Sequence, residues 1–396
     1  MSDGVSTQPE LELGLAMLET ESELVWPDGP LPRAGLLPEA GLDGFESGLF
    51  VQAHARETLD AAKLVEQYRL GVVFTLDRNS CTTMLQQARS AIEPVRRRHR
   101  SSSIMIDANH YSGKNRKRVA DGISRQWAVH QLETLGLPWA LTDSGFVESL
   151  GDVDALLNMT RSLPERTIIA LPMPSSLLRD EATAITDLVN DFERPVALLL
   201  EHPSDPFDDE GVAESLVQVI RNSNPAVSLL RSDTSAIGAL CHGAAAGAVG
   251  AHSGLRHIYP RSTGGAGEKL SLVVPRLLGY YSQHRFEQAY FRDPLAPLWR
   301  CSCWFCNDRD LTWIGNEPGD QGFRASFQHS TAALAEIGHL VSGSTTTSSQ
   351  AKTWSALCEL ARTRHLDLAN PSGSPWKPKA ALQYWARLAP VRAGVR

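Results

Sequence analysis

Thr167-Ile-Ile-Ala-Leu171 and Val196-Ala-Leu-Leu-Leu-Glu201 are short apolar runs, and residues 180–192 between them carry apolar side chains at helical spacing. A five- or six-residue β-branched or leucine run is too short for a buried helix, so strand, helix, strand is the reading. One such unit defines a parallel pair with a crossover. Outward from it the pattern repeats. Candidate strands fall at 49–53, 71–76, 103–107, 139–143, 167–171, 196–201, 226–231 and 248–252, with helix-period stretches such as 56–68 and 122–135 between them. Strand starts lie 22 to 36 residues apart, the length of a strand plus its crossover helix. Eight units predict a closed (β/α)8 barrel of the TIM type. An open doubly wound sheet is the rival, and residues 270–278 offer a ninth strand.

The composition agrees. The 396 residues are 42% hydrophobic and 21% charged, which supports a large core and excludes a disordered or disulfide-stapled chain. No run of about 18 apolar residues exists to span a bilayer, and the first residues lack a secretory pattern, so the expected location is cytoplasmic, without a membrane partner. The net charge of −7 opposes a nucleic-acid partner until its distribution is read. Residues 1–47 hold ten acids and one base, a net −9, and read as an acidic arm with one short helix near 11–24. The rest carries 35 acids and 37 bases. Two basic runs stand out: Arg96-Arg-Arg98-His99-Arg100 before the third strand, and Lys114-Asn-Arg116-Lys117-Arg118 after it. The second follows the strand's functional end, so Lys114, Arg116, Lys117 and Arg118 are the expected nucleic-acid contacts. The first belongs to the opposite rim.

Polar residues gather where apolar runs stop: Asp107-Ala-Asn109-His110, Asp143-Ser144, Glu201-His202, Arg231-Ser-Asp233 and His252-Ser253. In a parallel barrel those ends share one rim, the rim that carries chemistry. After residue 300, Cys301-Ser-Cys303-Trp-Phe-Cys306 sets three thiols on a tight turn, and His329 follows after 22 residues, just before a helix predicted at 330–340. Three thiolates and an imidazole complete a tetrahedral zinc site with no open position, so the metal would be structural. His339 is the weaker fourth ligand. Cys81, Cys241 and Cys358 read as small buried hydrophobes, and Trp304, Phe305 and Trp313 as core. Gly264-Gly-Ala-Gly267 reads as a flexible loop. The expected organisation is an arm (1–47), the barrel (48–300), a zinc subdomain (301–341), a Ser/Thr-rich linker (342–350) and C-terminal helices at 352–367 and 379–388 within 351–396.

A barrel followed by Cys-x-Cys-x-x-Cys and a distal His resembles the tRNA-guanine transglycosylase family, which includes queuine and archaeosine enzymes and a branch that inserts 7-deazaguanines into DNA. The resemblance covers roughly residues 48–341. It implies exchange of guanine for a modified purine-like base in tRNA or DNA. It gives Asp107, at the end of Ile104-Met-Ile-Asp107, a role in proton transfer or ribose contact, beside Asn109. It makes Asp143, in Leu141-Thr-Asp143-Ser144-Gly145, the residue that holds the purine edge, with Ser144 and Gly145 alongside; Asp143 also carries the Thr-Asp-Ser-Gly wording of the preceding strand, so the two roles are exchangeable. A helix N-cap is the ordinary role for either Asp. The sequence departs from the family at the nucleophile. The eighth strand ends Gly250-Ala-His252-Ser253-Gly254, with no acid before Glu268. His252 is then the candidate base, and Asp233, one strand earlier, is the candidate carboxylate near the sugar. The glycine-rich base-binding segments are replaced by Leu171-Pro-Met-Pro174 and Glu201-His202-Pro203. Three functions follow: a transglycosylase-like enzyme, a non-catalytic nucleic-acid-binding homologue or partner subunit without the nucleophile, and an N-glycoside hydrolase using water. Homo- or heterodimerisation stays open.

Overall fold

The computed structural model describes residues 31–77, 81–99, 103–261, 269–344, 346–368 and 376–388. The short helix expected near 11–24, the loop at 264–267, Glu268 and Arg100 lie outside the described residues.

Eight parallel strands form the barrel: β1 Leu49–His54, β2 Gly71–Thr75, β3 Ile104–Asp107, β4 Ala140–Leu141, β5 Thr167–Pro174, β6 Val196–Glu201, β7 Val227–Ser232 and β8 Ala246–Gly250. The ladder runs β3-β2-β1-β8-β7-β6-β5-β4. β8 returns to β1, with Phe50 opposite Ala248 and Val51 opposite Val249, so the rival open sheet is excluded. β3 and β4 lie side by side at the seam. Side chains alternate as the pleat requires. Phe50, Val73, Met105, Ile168, Leu199 and Ala248 fill the interior, while Val51, Val72, Ile104, Ile169 and Leu198 face the outer helices.

The fourth strand is shorter than the sequence suggests. Only two residues join the ladder, because the edge towards β3 is satisfied by a side chain. The Gln131 amide donates to the Leu141 carbonyl (2.8 Å) and accepts from the Leu141 N–H (3.0 Å), standing in for a strand. Just beyond, Phe146 N–H donates to the Lys117 carbonyl (2.8 Å), so the seam closes through the loop after β3. Gly145 permits this, since a Cβ there would lie 2.1 Å from the Arg118 carbonyl oxygen.

Residues 31–47 are not a free arm. They close the N-terminal mouth of the barrel. Leu42 and Phe45 join the interior cluster, Phe45 meets Phe50 edge-on at 5.2 Å, and Gly41 N–H donates to the Ala245 carbonyl. The expected ninth strand is a separate antiparallel hairpin, Ser271–Val274 with Gly279–Ser282. The helix after the cysteine turn runs Asp320–Ser342 and packs along helix Thr58–Tyr68 and β1. Helix Thr347–Leu368 begins inside the expected linker and packs on helix Ser235–Cys241. Helix Ala380–Arg387 then crosses to the loop after β6.

Candidate functional site

The strand-end residues do share one rim, but they are organised into distinct groups. Asp107 is buried and saturated. Its Oδ2 accepts from Gln52 Nε2 (3.0 Å), Thr75 Oγ1 (3.1 Å) and Tyr111 OH (2.6 Å), and its Oδ1 accepts from Asn109 N–H (2.8 Å). Burial, then the Asp107 charge, pushes the Tyr111 phenol well above its usual range, so Tyr111 stays a donor. Gln52 Oε1 continues the layer by accepting from Arg231 N–H (2.7 Å). Asn109 is also engaged, its Oδ1 accepting from Arg231 Nη1 (2.9 Å). Asn109 and Arg231 both hold positive φ, the strained backbone that such fixed polar contacts sustain. Asp107 and Asn109 therefore anchor a polar layer across β1, β2, β3 and β7. Gln52 and Thr75 were missed in the sequence; their signal was a polar side chain at an inward position of an apolar strand.

Asp143 is placed differently. Its Oδ1 accepts from Ser124 N–H (2.8 Å), while Oδ2 faces His110 Nδ1 at 3.7 Å, beyond hydrogen-bond reach. The His110 Nδ1 atom is buried without a partner, and burial holds that imidazole below its ordinary pKa. Ser144 pairs with Thr142 through their hydroxyls (2.7 Å), and Gly145 serves the seam. The second basic run splits. Arg116 bridges to Glu201, with its guanidinium 3.5 Å above the Phe146 ring, while Lys114 and Arg118 are exposed and Lys117 is half-buried. Arg116 is thus a paired, largely covered strut rather than a free cation. In the first run, Arg97 pairs with Glu93, Arg98 with Glu66 and Arg96 with the Gly136 carbonyl, at the far end of the barrel as expected.

A third group joins Asp233 to two residues that the sequence did not single out. Lys379, at the N-cap of helix Ala380–Arg387, reaches into the mouth and donates to Asp205 Oδ2 (3.1 Å) and Asp233 Oδ2 (3.0 Å). Asp233 Oδ1 also accepts from Ser235 N–H (3.1 Å). Burial opposes ionisation of both carboxyls. For Asp233 it is outweighed by Lys379, the Asp205 hydrogen bond and Ser235 N–H, so that group stays ionised; Asp205 is driven upward by burial and by Asp233, so it retains a proton. The pair lines a cavity of about 130 Å³ with Ser253, Arg256, His257 and Tyr280.

His252 is not part of that cavity. It pairs with Glu57, stacks near His54 and Phe327, and lines a separate small recess with Lys269 and Phe323. Burial opposes the Glu57 carboxylate, yet the His252 hydrogen bond prevails and holds it below its usual range.

The cysteine turn forms a second site. Cys301, Cys303, Cys306 and His329 are all buried, and their ligand atoms lie within 4.8 Å of one another. A tetrahedron with metal–sulfur bonds of about 2.3 Å has edges of roughly 3.8 Å, so the set can hold a metal ion. His329 Nδ1 sits 3.7 Å from Cys303 Sγ and 3.2 Å from Cys306 Sγ, while Nε2 donates to the Val273 carbonyl (2.8 Å), which fixes the ring. N–H groups of Cys303 and of the Trp313 indole point at the Cys301 and Cys306 sulfurs (3.4 Å each). Contrary to expectation, His329 lies in the middle of its helix, not at its start, because the helix begins at Asp320. Trp304 is 51% exposed rather than core, and Phe305 and Trp313 are half-buried. Cys241 and Cys358 are buried as expected. Trp304 N–H contacts Tyr68 OH and Arg33 contacts the Ser302 carbonyl, so the turn rests near the closed end of the barrel, away from the open rim.

The chain is therefore a (β/α)8 barrel carrying a buried Cys3His cluster, a fold typical of enzymes. No helix among the described residues is long and apolar enough to cross a membrane. No family model matches the chain, and no curated protein matches it. Solved structures similar to it include a mandelate racemase/muconate lactonizing enzyme from Roseiflexus sp. (10% identity, TM-score 0.31, 50% of this chain and 51% of that one). A tryptophan synthase alpha-subunit from Pyrococcus furiosus matches at 14% identity and TM-score 0.32, over 53% and 88% of the two chains. A type I 3-dehydroquinate dehydratase from Clostridium difficile matches at 11% identity and TM-score 0.32, over 57% and 93%. The match spans about half the length of the racemase. None of these likenesses bears on chemistry; the fold rests on the strand pairing, and the site on its residues.

Proposed function

We propose that this chain is a transglycosylase-like enzyme that exchanges guanine for a modified, 7-deazaguanine-type base in tRNA or DNA, with Asp233 in place of the nucleophile missing from β8. The observation that supports this is the Asp205–Lys379–Asp233 group at the open rim, two carboxyls on one ammonium within a single cavity, where burial and Asp233 push Asp205 up while Lys379 holds Asp233 down. Two carboxyls with separated proton affinities are what glycosidic-bond chemistry needs. Asp233 attacks the anomeric carbon while Asp205 delivers its proton to the departing base, so one C–N bond breaks as one C–O bond forms. In the return step the incoming base gives its N–H proton to Asp205, attacks the same carbon and releases Asp233. Asp143, with a carboxylate oxygen not used by a close donor, reads the purine edge beside His110. Lys114 and Arg118, exposed after β3, supply phosphate contacts. Zinc fills the Cys3His set, since three soft thiolates with one imidazole favour it and a closed tetrahedron leaves it structural.

A second reading, a non-catalytic nucleic-acid-binding homologue, is favoured by the saturation of Asp107. Base exchange with labelled guanine, on tRNA and on duplex DNA, separates the two. The proposal expects incorporation into one substrate, with Asp233→Asn reducing it by at least about 1,000-fold. Release of free base without incorporation would identify a hydrolase instead. Binding of nucleic acid with neither exchange nor release would overturn the enzyme.

A further inference from the structure

We propose that the cavity under Lys379 is a binding site for a phosphate group, with Arg256 and Lys379 as its cationic walls and the Ser253 hydroxyl as a donor in its lining. The site is assembled by the loops after β6, β7 and β8 together with the C-terminal helix. The last two of those loops commonly form a phosphate site in such barrels.

Its donors are not used up. The Arg256 guanidinium lies 3.3 Å above the Tyr280 ring and donates Nη2 to Ser271 Oγ (3.0 Å), yet its buried Nε has no partner. His257 is 7% exposed, and its Nε2 is likewise buried without a partner. Lys379 offers three N–H donors, of which the two carboxyls take two. A native protein seldom leaves such groups unsatisfied unless something else fills the space. The charge balance favours an anion. Lys379 and Arg256 are cationic and Asp233 is anionic. Burial keeps Asp205 protonated and His257 neutral, so the walls carry a net single positive charge. A volume of about 130 Å³ admits a tetrahedral oxyanion and lies below the usual range for a drug-sized ligand.

The site stands on these residues and not on the glycosyl chemistry. Where both hold, the phosphate belongs to the nucleotide whose sugar meets Asp233. Isothermal titration of the full chain with inorganic phosphate tests it, using chloride at equal ionic strength as control. The expectation is binding that weakens at least tenfold in Arg256→Gln. Ser253→Asp, a change at a half-exposed position that places a carboxylate in the cavity lining, is the second variant and should weaken it as much. If Arg256→Gln does not fold, Ser253→Asp decides. A nucleoside 5′-monophosphate that binds tighter than phosphate identifies a free nucleotide; a tighter short oligonucleotide identifies the nucleic-acid backbone. Phosphate binding that is absent, or unchanged within twofold in the folded variants, would overturn the site. Phosphate binding without base exchange would remove the transglycosylase reading and leave the site standing.

Discussion

Replacing Lys379 with Met should destabilise the protein in a pH-dependent way. The ammonium lies 3.0 Å from Asp233 Oδ2 and 3.1 Å from Asp205 Oδ2. At an effective dielectric of about 20, a charge pair at that separation is worth roughly 5–6 kcal/mol before desolvation is subtracted. Without Lys379, Asp233 can remain charged beside an apolar methionine or take up a proton. Protonation is the cheaper escape: forcing a group with an ordinary pKa of about 3.9 to be neutral costs about 4 kcal/mol at pH 7 and about 1.5 kcal/mol at pH 5. The sign follows from linkage. In the parent chain the Asp233 carboxylate is held below its usual range, so its contribution is fully present at both pH values and is lost only in stronger acid. In the variant its folded pKa is raised, so stability falls as pH rises through the interval above about 3.9. The deficit of the variant should therefore grow by about 2.7 kcal/mol between pH 5 and pH 7, read from urea denaturation midpoints at constant slope. A deficit that is equal at the two pH values, or larger at pH 5, would refute the placement of an ionised Asp233 beside Lys379.

The metal cluster makes a second expectation: Cys303→Ser protein should lose about one equivalent of zinc by elemental analysis, and unchanged content would refute the site. Arg116→Gln leaves the half-buried Glu201 carboxylate without its partner and should cost about 1–3 kcal/mol in denaturant unfolding. Lys114→Ala, by contrast, should leave stability within about 0.5 kcal/mol and reduce the salt dependence of nucleic-acid binding by about one phosphate contact.

The barrel was legible because a parallel strand covered on both faces is apolar throughout, and that pattern is local. Val196–Glu201 is placed to the residue. β4 was overextended because its limit is set by Gln131, ten residues away, whose amide replaces a neighbouring strand; no hydropathy pattern records that. The acidity of residues 1–47 hid Leu31, Leu42 and Phe45, which tie the last third of that segment into the core. The Cys3His set was legible from spacing, whereas the position of His329 along its helix was not, since the helix begins well before it at Asp320. The candidate site was legible by halves. Asp107, Asp143 and Asp233 were found as strand ends, but the saturation of Asp107 depends on Gln52 and Thr75 from neighbouring strands and on Tyr111 four residues on. Asp205 stood behind a proline turn, and Lys379 comes from 174 residues further along the chain, so nothing local paired them.

In the proposed exchange Asp233 is the carboxylate that meets the sugar. Quenching a reaction with labelled nucleic acid and mapping the protein by mass spectrometry measures it directly. A glycosyl adduct is expected on the peptide containing Asp233, formed by the parent chain and absent from Asp233→Asn. Base exchange that proceeds undiminished in Asp233→Asn, or an adduct carried by another residue, would contradict it.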